Sequence, residues 1–259
     1  MTNEPPRGLR ANMRRSFQLE PIADESFFES CNKPDVFKKL CLGLCFIHGF
    51  VQERRTFGPI GWNIPYSFDD GDLRISVRQL HMYVDENEAT PFAALKYATG
   101  ECNYGGRVTD DKDRRLLNTL MELVYCPAAL ADGFKLSASG TYAIQPMGSH
   151  ASYLEYIAAL PILPLPEAFG LHDNADITKD LNQTQLLADT LIKTGGGSGG
   201  GGGGQEALVA KVTKEILDKL PANFDIETVQ RKFPVRYEES MNTVLAQEML
   251  RYNRQSGAV

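Results

Sequence analysis

Apolar residues recur at three- and four-residue steps along most of this 259-residue chain, the spacing that collects one face of an α-helix. The strongest run follows Pro34, a residue suited to a first helical turn. Phe37, Leu40, Cys41, Leu44, Cys45, His48 and Val51 share a face there and predict a helix to about Arg55, with Arg54 and Arg55 facing the negative end of its dipole. Upstream, Asn3-Glu4-Pro5-Pro6 forms a platform for a helix from Arg7 to Phe17; Pro21 breaks it, and Asp24 caps a short helix through Phe27 and Phe28. Downstream, Leu73, Val77, Leu80 and Val84 predict one helix, and Phe92, Leu95 and Tyr97 after Pro91 another. Leu116, Leu117, Leu120, Leu123 and Val124 predict a third, with Asp110 and Asp113 at its capped start. Further helices are expected over 152–160 and 174–192. Two more faces comprise Val209, Val212, Ile216, Leu217 and Leu220, then Tyr237, Met241, Val244, Leu245, Met249 and Tyr252. The fold class is mainly α, with about nine or ten helices.

Four stretches break the period. Between Phe57 and Asp72 the residues Gly58, Pro59, Gly61, Pro65 and Gly71 oppose regular structure, yet Trp62, Ile64, Tyr66 and Phe68 are too apolar for a solvated loop, so this segment is expected to lie packed on helices. Gly100 to Arg107 reads as a glycine-rich turn, and Phe134 to Pro146 as a short extended segment. Residues 194–205, nearly all glycine, offer no side chain to bury and read as a flexible linker.

Hydrophobic residues at 42% and charged residues at 23% describe a soluble globular chain. Net charge −6, from 27 Lys and Arg against 33 Asp and Glu, argues against nucleic-acid and anionic-membrane partners. Arg7, Arg10, Arg14 and Arg15 spread around a helix instead of forming a basic stripe. No apolar run approaches the ~18 residues that span a bilayer. Cys31, Cys41, Cys45, Cys102 and Cys126 are irregularly spaced and odd in number, reading as reduced thiols of an intracellular protein.

Candidate chemistry is sparse. A phosphate-cradling G-x-x-x-x-G-K-[ST] run is absent, and the glycines of 99–107 lack the lysine and carry Glu101 where an anion would sit, so they read as a structural turn. Residues 196–200 match G-x-S-x-G only formally, because polyglycine supplies neither the strand nor the helix that strains such a serine. Cys41, Cys45 and His48 share a helical face with Phe37, Leu40 and Leu44 and lack a fourth ligand, which favours a core histidine beside buried thiols over a zinc site. His172, Asp173 and Asp176 surround a helix start, where capping accounts for them. No metal, cofactor or catalytic residue is expected in this stretch.

Several ordered runs carry a resemblance. MTNEPPRGLRAN (1–12), FVQERR (50–55), FGPIGWNIPY (57–66), DLRIS (72–76), TGECNYGGRVTDD (99–111) with DRR (113–115), FGLHDNAD (169–176) and YEESMN (237–242) together resemble the dynein heavy chain family, axonemal inner-arm type. The resemblance covers nearly the whole sequence outside the polyglycine. It implies that 1–20 ends the large subdomain of the sixth AAA+ module, 21–133 forms its helical lid, and 134–259 opens the C-terminal region, which stops early. Its structural signature comprises Trp62, Asn63, Tyr66, Gly105, Gly106, Arg107, Asp110, Asp111, Arg114 and Arg115. Arg10 stands where a degenerate sensor arginine would be, and a structural salt bridge is expected of it instead.

The resemblance implies scaffold and not engine: a part of a minus-end-directed microtubule motor of the cytoplasm and ciliary axoneme, relaying conformational change around a ring whose ATP and magnesium bind elsewhere in the parent. The partners implied are the other AAA+ modules of the same heavy chain and dynein complex subunits, with microtubules reached only through the parent. The rival readings are a free-standing assembly module that binds assembly factors or axonemal neighbours, and an unrecognised small enzyme.

Overall fold

A computed structural model describes residues 6–195, 202–236 and 239–256. The chain divides into two compact units, 1–190 and 191–259. The described residues contain eleven α-helices, somewhat more than the periodicity suggests, and no β-strand.

The first unit is organised by α3. Helix α1 (Leu9–Gln18) and α2 (Glu25–Glu29) precede it, and α2 is capped as expected by Asp24, whose side chain accepts from the Ser26 amide. Helix α3 (Pro34–Glu53) begins with Pro34 in its first turn. The sequence predicts one apolar face, but every residue from Phe37 to Gln52 is buried, because Leu42, Phe46, Ile47 and Phe50 fill the remaining arc. A helix apolar all round must be enclosed. The enclosure consists of α1, α4 (Asp70–Glu86), α6 (Asp111–Val124) and the 3-10 turn at Pro127–Leu130, with α5 (Phe92–Tyr97) against α4 and α6, and α7 (His150–Ala159) against α1. Two buried lysines on α3 lie along this apolar surface while their ammonium groups reach anions and carbonyls. Lys38 Nζ is 2.6 Å from Glu29, and Lys39 Nζ is 2.9 Å from Asp35 and 2.8 Å from Asp132.

The irregular stretches are more ordered than expected. After α3 the backbone continues as a 3-10 turn through Ile60, interrupted where Gly58 takes φ 59°. The supposed glycine turn is helical: a π-helical turn at Ala98–Asn103 and a 3-10 turn at Gly105–Arg107. The extended segment is a hairpin with one antiparallel bridge, Lys135 to Ala143, supported by Leu136 N–H to the Tyr142 carbonyl at 2.8 Å. Leu136, Tyr142, Ile144, Tyr153 and Ile157 join the α3 core, so the domain division expected at 134 falls inside this unit.

Helix α8 (Ala175–Gly195) runs across the division between the units. Helices α9 (Gly202–Leu217), α10 (Ile226–Lys232) and α11 (Ser240–Ser256) belong to the second unit. Of the linker expected over 194–205, residues 196–201 lie outside the described residues, while Thr194 and Gly195 close α8 and 202–205 open α9. The G-x-S-x-G match, residues 1–5 of the proline platform, and Tyr237 with Glu238 also lie, wholly or in part, outside the described residues. Asn253 ties α11 to the segment before α10 by accepting from the Phe224 amide (2.8 Å) and donating to the Phe224 carbonyl (2.7 Å). The apolar faces predicted for α9 and α11 exist but are exposed: Val209 is 61% and Met241 64% accessible, and Ala246 is the buried apolar residue of that unit among the described residues.

A close contact between α3 and α6 yields a prediction. A Cβ on Gly43 would lie 2.7 Å from Val124 Cγ1. Gly43→Ala is expected to cost about 1–3 kcal/mol. In urea melts the loss for Gly43→Ala combined with Val124→Ala is expected to be smaller than the sum of the two single losses, because the second change removes the clash.

Candidate functional site

Trp62, Asn63, Tyr66 and Asp110 of the expected signature meet where the segment after α3 crosses the start of α6. Asp113, in the first turn of α6, is 4% exposed, and its carboxylate accepts from the Asn63 amide at 3.1 and 3.2 Å and from the Ile64 amide at 3.4 Å. Asp110 caps α6 by accepting from the Lys112 (2.9 Å) and Asp113 (3.1 Å) amides. It also accepts from Asn63 Nδ2 at 3.1 Å, and its own amide donates to the Tyr66 hydroxyl at 3.2 Å. These bonds hold the Asp110 carboxyl below the usual carboxylate range, chiefly through the Asp113 amide. Trp62 donates its indole N–H to the Val51 carbonyl at 3.0 Å, fastening the same segment to the last turns of α3, and its ring stands edge-on to Tyr66 at 5.8 Å. The sequence carries a capping signal for Asp110 but none for the role of Asp113, whose amide partners lie about fifty residues upstream.

The glycine-containing turn docks on the start of α4. Asp69 and Asp72 form a reciprocal capping box there, and Arg107 closes over both, its Nε 3.0 Å from Asp72 and its terminal nitrogen 2.6 Å from Asp69. Burial raises the Asp72 carboxyl above its ordinary value, while the Asp69 amide and Arg107 pull the other way. Glu101 accepts from Asn118 (2.6 Å) and Arg114 (3.1 Å), and Arg114 also donates to the Val108 carbonyl at 2.7 Å, so the helical glycine run is held by packing contacts of its own. Gly105 is required by close approach, since a Cβ would lie 2.1 Å from the Gly100 carbonyl oxygen. Nothing in the structure explains Gly106, and Asp111 and Arg115 are exposed outside this interlock.

A buried polar line runs beside it. The His48 ring lies between the Tyr104 hydroxyl, 2.9 Å from Nδ1, and the Gln52 amide, 3.0 Å from Nε2, and Gln52 also donates to the Phe68 carbonyl at 3.2 Å. Asp70 stands 3.9 Å from His48 Nε2 and 2.7 Å from Arg15. Burial works to raise the Asp70 carboxyl, but His48 and Arg15 outweigh it and hold it down at about 2. Burial keeps the Tyr104 hydroxyl far above its ordinary range. Cys41, Cys45 and His48 are all buried as expected, and the imidazole is satisfied by these polar neighbours.

The remaining candidates fall to structural roles. Arg10 donates to the Ala158 (3.3 Å) and Leu160 (3.4 Å) carbonyls at the end of α7, so the expected salt bridge is replaced by capping of a helix C-terminus. Arg54 donates to the Gly61 carbonyl at 2.7 Å and to the Phe169 carbonyl. At the start of α8, His172 Nδ1 accepts from the Asn174 amide at 3.2 Å, and Asp176 pairs with Lys179 at 2.6 Å. A depression of about 170 Å³ beside Trp62 is lined by Arg55, Gly58, Pro59, Asn63 and Pro65, of which only Arg55 is ionisable.

Two outcomes follow. Asp113→Ala leaves the part-buried Asn63 and Ile64 amides without their carboxylate and is expected to cost about 1 kcal/mol, with faster hydrogen exchange at Asn63 and Ile64 as the local readout. Because the Asp70 carboxyl is depressed on folding, its contribution is present above its unfolded value near ~4 and is lost as pH falls toward about 2. Asp70→Asn is therefore expected to flatten stability against pH across that window in chemical denaturation.

Comparison with known proteins accounts for this arrangement. Residues 37–175 match the dynein heavy chain AAA lid domain and 181–259 match the C-terminal domain of the dynein heavy chain, so the lid match also passes through 134. The protein is 53% identical over 255 residues to dynein axonemal heavy chain 3 of Mus musculus, covering 98% of this chain and 6% of that protein. It is 52% identical over 257 residues to dynein axonemal heavy chain 12 of Homo sapiens, covering 98% and 8%. To dynein axonemal heavy chain 1 of Homo sapiens it is 50% identical over 256 residues, covering 98% and 6%. It thus spans less than a tenth of the length of these relatives. With its family matches falling on a lid and a C-terminal domain, this mainly helical chain belongs to the dynein heavy chain family.

Proposed function

We propose that this chain is a mechanical part of an axonemal dynein heavy chain, of the inner-arm type, that relays conformational change between neighbouring AAA+ modules and performs no catalysis itself. One observation carries the reading: residues 57–68 are fastened at one end to α3 through Trp62 and at the other to α6 through Asp113, Asp110 and Tyr66. A displacement imposed on α6 is therefore passed to α3 instead of being absorbed in a loose loop, as a packed two-state element requires. Hydrolysis belongs to the parent motor, where ATP and magnesium bind outside these residues. The partners are the other AAA+ modules of the same heavy chain and further dynein subunits; microtubules are reached only through the parent, in the axoneme of cilia and flagella. Arg10 is a positioning group for α7 and not a nucleotide sensor, which fits its two carbonyl partners.

In a complete motor, Trp62→Ala with Tyr66→Ala is expected to slow microtubule gliding or to uncouple it from ATP turnover. Asp113→Asn, which keeps the shape of the side chain but weakens the charge-assisted clamp, gives a smaller change in the same direction. Unchanged gliding velocity and ATPase in both variants would overturn the relay.

A further inference from the structure

Away from the interlock, three metal-ligating groups converge on the link between α2 and α3. Cys31 Sγ, one His81 ring nitrogen and one Asp85 carboxylate oxygen all lie within 4.8 Å of one another. His81 and Asp85 are four residues apart on α4 and so share a face, and Cys31 reaches them from about fifty positions upstream. The Cys31 thiol donates to Asp85 Oδ1 at 3.1 Å, and Asp85 Oδ2 lies 3.3 Å from His81 Nδ1.

The Ser30 hydroxyl lies 2.9 Å from both the Phe27 carbonyl and His81 Nε2. When it donates to that carbonyl it accepts from Nε2–H, and the Nδ1 lone pair then faces Asp85, the tautomer that a ligating imidazole requires. A thiolate, an imidazole and a carboxylate form the ligand chemistry of zinc, whereas calcium and magnesium take oxygen.

We propose that Cys31, His81 and Asp85 bind a zinc ion, with water as the fourth ligand. Zinc bonds of about 2.0–2.3 Å set tetrahedral edges near 3.3–3.8 Å. The thiol meets one Asp85 oxygen at 3.1 Å and the imidazole meets the other at 3.3 Å, so a single ligating oxygen needs a small rotation of the carboxylate while the thiol and the imidazole, with it within 4.8 Å of one another, draw together. Binding converts the Cys31 thiol to a thiolate and releases one proton to solvent, while His81 keeps its Nε2 hydrogen on Ser30, the outer contact that orients a ligating imidazole. The second Asp85 contact, to the Asn32 amide at 2.8 Å, keeps the carboxylate aimed at the site. Such an ion would tie the α2–α3 link to the C-terminal half of α4, beside the Lys33 ammonium, which reaches the Asn87 and Glu88 carbonyls just beyond that helix. His81 is held from its other sides by Phe27 and Phe37, with ring centroids 4.7 and 5.1 Å away, so the imidazole is fixed before the metal arrives.

The test is metal analysis of the 259-residue chain after dialysis, together with cobalt substitution, which reports a thiolate ligand by its near-ultraviolet charge-transfer band. About one equivalent of zinc per molecule is expected, with a cobalt band that disappears in Cys31→Ser and persists in Cys126→Ser. Should Cys31→Ser fail to fold by circular dichroism, Asp85→Asn carries the test: it leaves the side-chain shape intact and is expected to abolish retention of the ion through dialysis. No retained metal, a band that survives Cys31→Ser, or full retention in Asp85→Asn would overturn the site.

Discussion

Everything in the first unit answers to the burial of α3. A twenty-residue helix whose middle is covered on every side cannot lie on a surface, so the fold must supply neighbours for its whole circumference. Several short elements do so: α1, α4, α6, the Pro127 turn and the hairpin after Gly133 each cover a part, and none is long enough to do it alone. Because those elements touch α3 more than they touch one another, their mutual placement is inherited from it. The irregular segment at 57–68 is the exception, and it is the one that needs a dedicated clamp.

That clamp shows how a core can carry polar groups without loss. Backbone amides at Asn63 and Ile64 cannot join a helix, since Pro59 and Pro65 interrupt the segment, yet they lie against apolar neighbours. A carboxylate presented from the first turn of α6 satisfies them, and the positive end of that helix favours the same charge. One acidic side chain therefore answers the needs of two elements. The Arg107 contact with Asp69 and Asp72 repeats the device at the start of α4, where a capping box already concentrates negative charge and a guanidinium neutralises it.

What can be read from the sequence divides along the range of the interactions. Local signals are legible: Asp24 and Asp110 as caps, Pro34 in a first turn, the apolar period of α4 and α6, and the packed character of Trp62, Tyr66 and Phe68. Features that depend on partners distant in the sequence are not. Asp113 has no sequence pattern that names Asn63, Arg10 finds carbonyls on α7 in place of the expected carboxylate, and Cys31 meets two residues of α4. The boundary expected at 134 cuts through this core for a related reason: the hairpin contributes Tyr142, which packs on Phe46 of α3, and Ile144, and no composition shift marks that dependence. Histidine and aspartate four apart on a predicted helix, with a cysteine elsewhere, are the one signal that could have raised His81 and Asp85.

The second unit poses the opposite physical problem. Its helices α9 and α11 keep their amphipathic period, yet Val209, Ile216, Met241, Val244 and Leu245 stay open to solvent where α3 buries the equivalent residues. Apolar surface of that kind gains little from intrahelical bonding alone, since short helices draw most of their stability from packing of the apolar face. The Asn253 contacts with Phe224 order the junction near α10 but bury little area. The units differ in how much of their apolar surface finds partners: the first encloses α3 within its own residues while leaving Ile162, Leu163 and Leu181 exposed, and the second, which matches a domain found in far longer polypeptides, leaves its helix faces open.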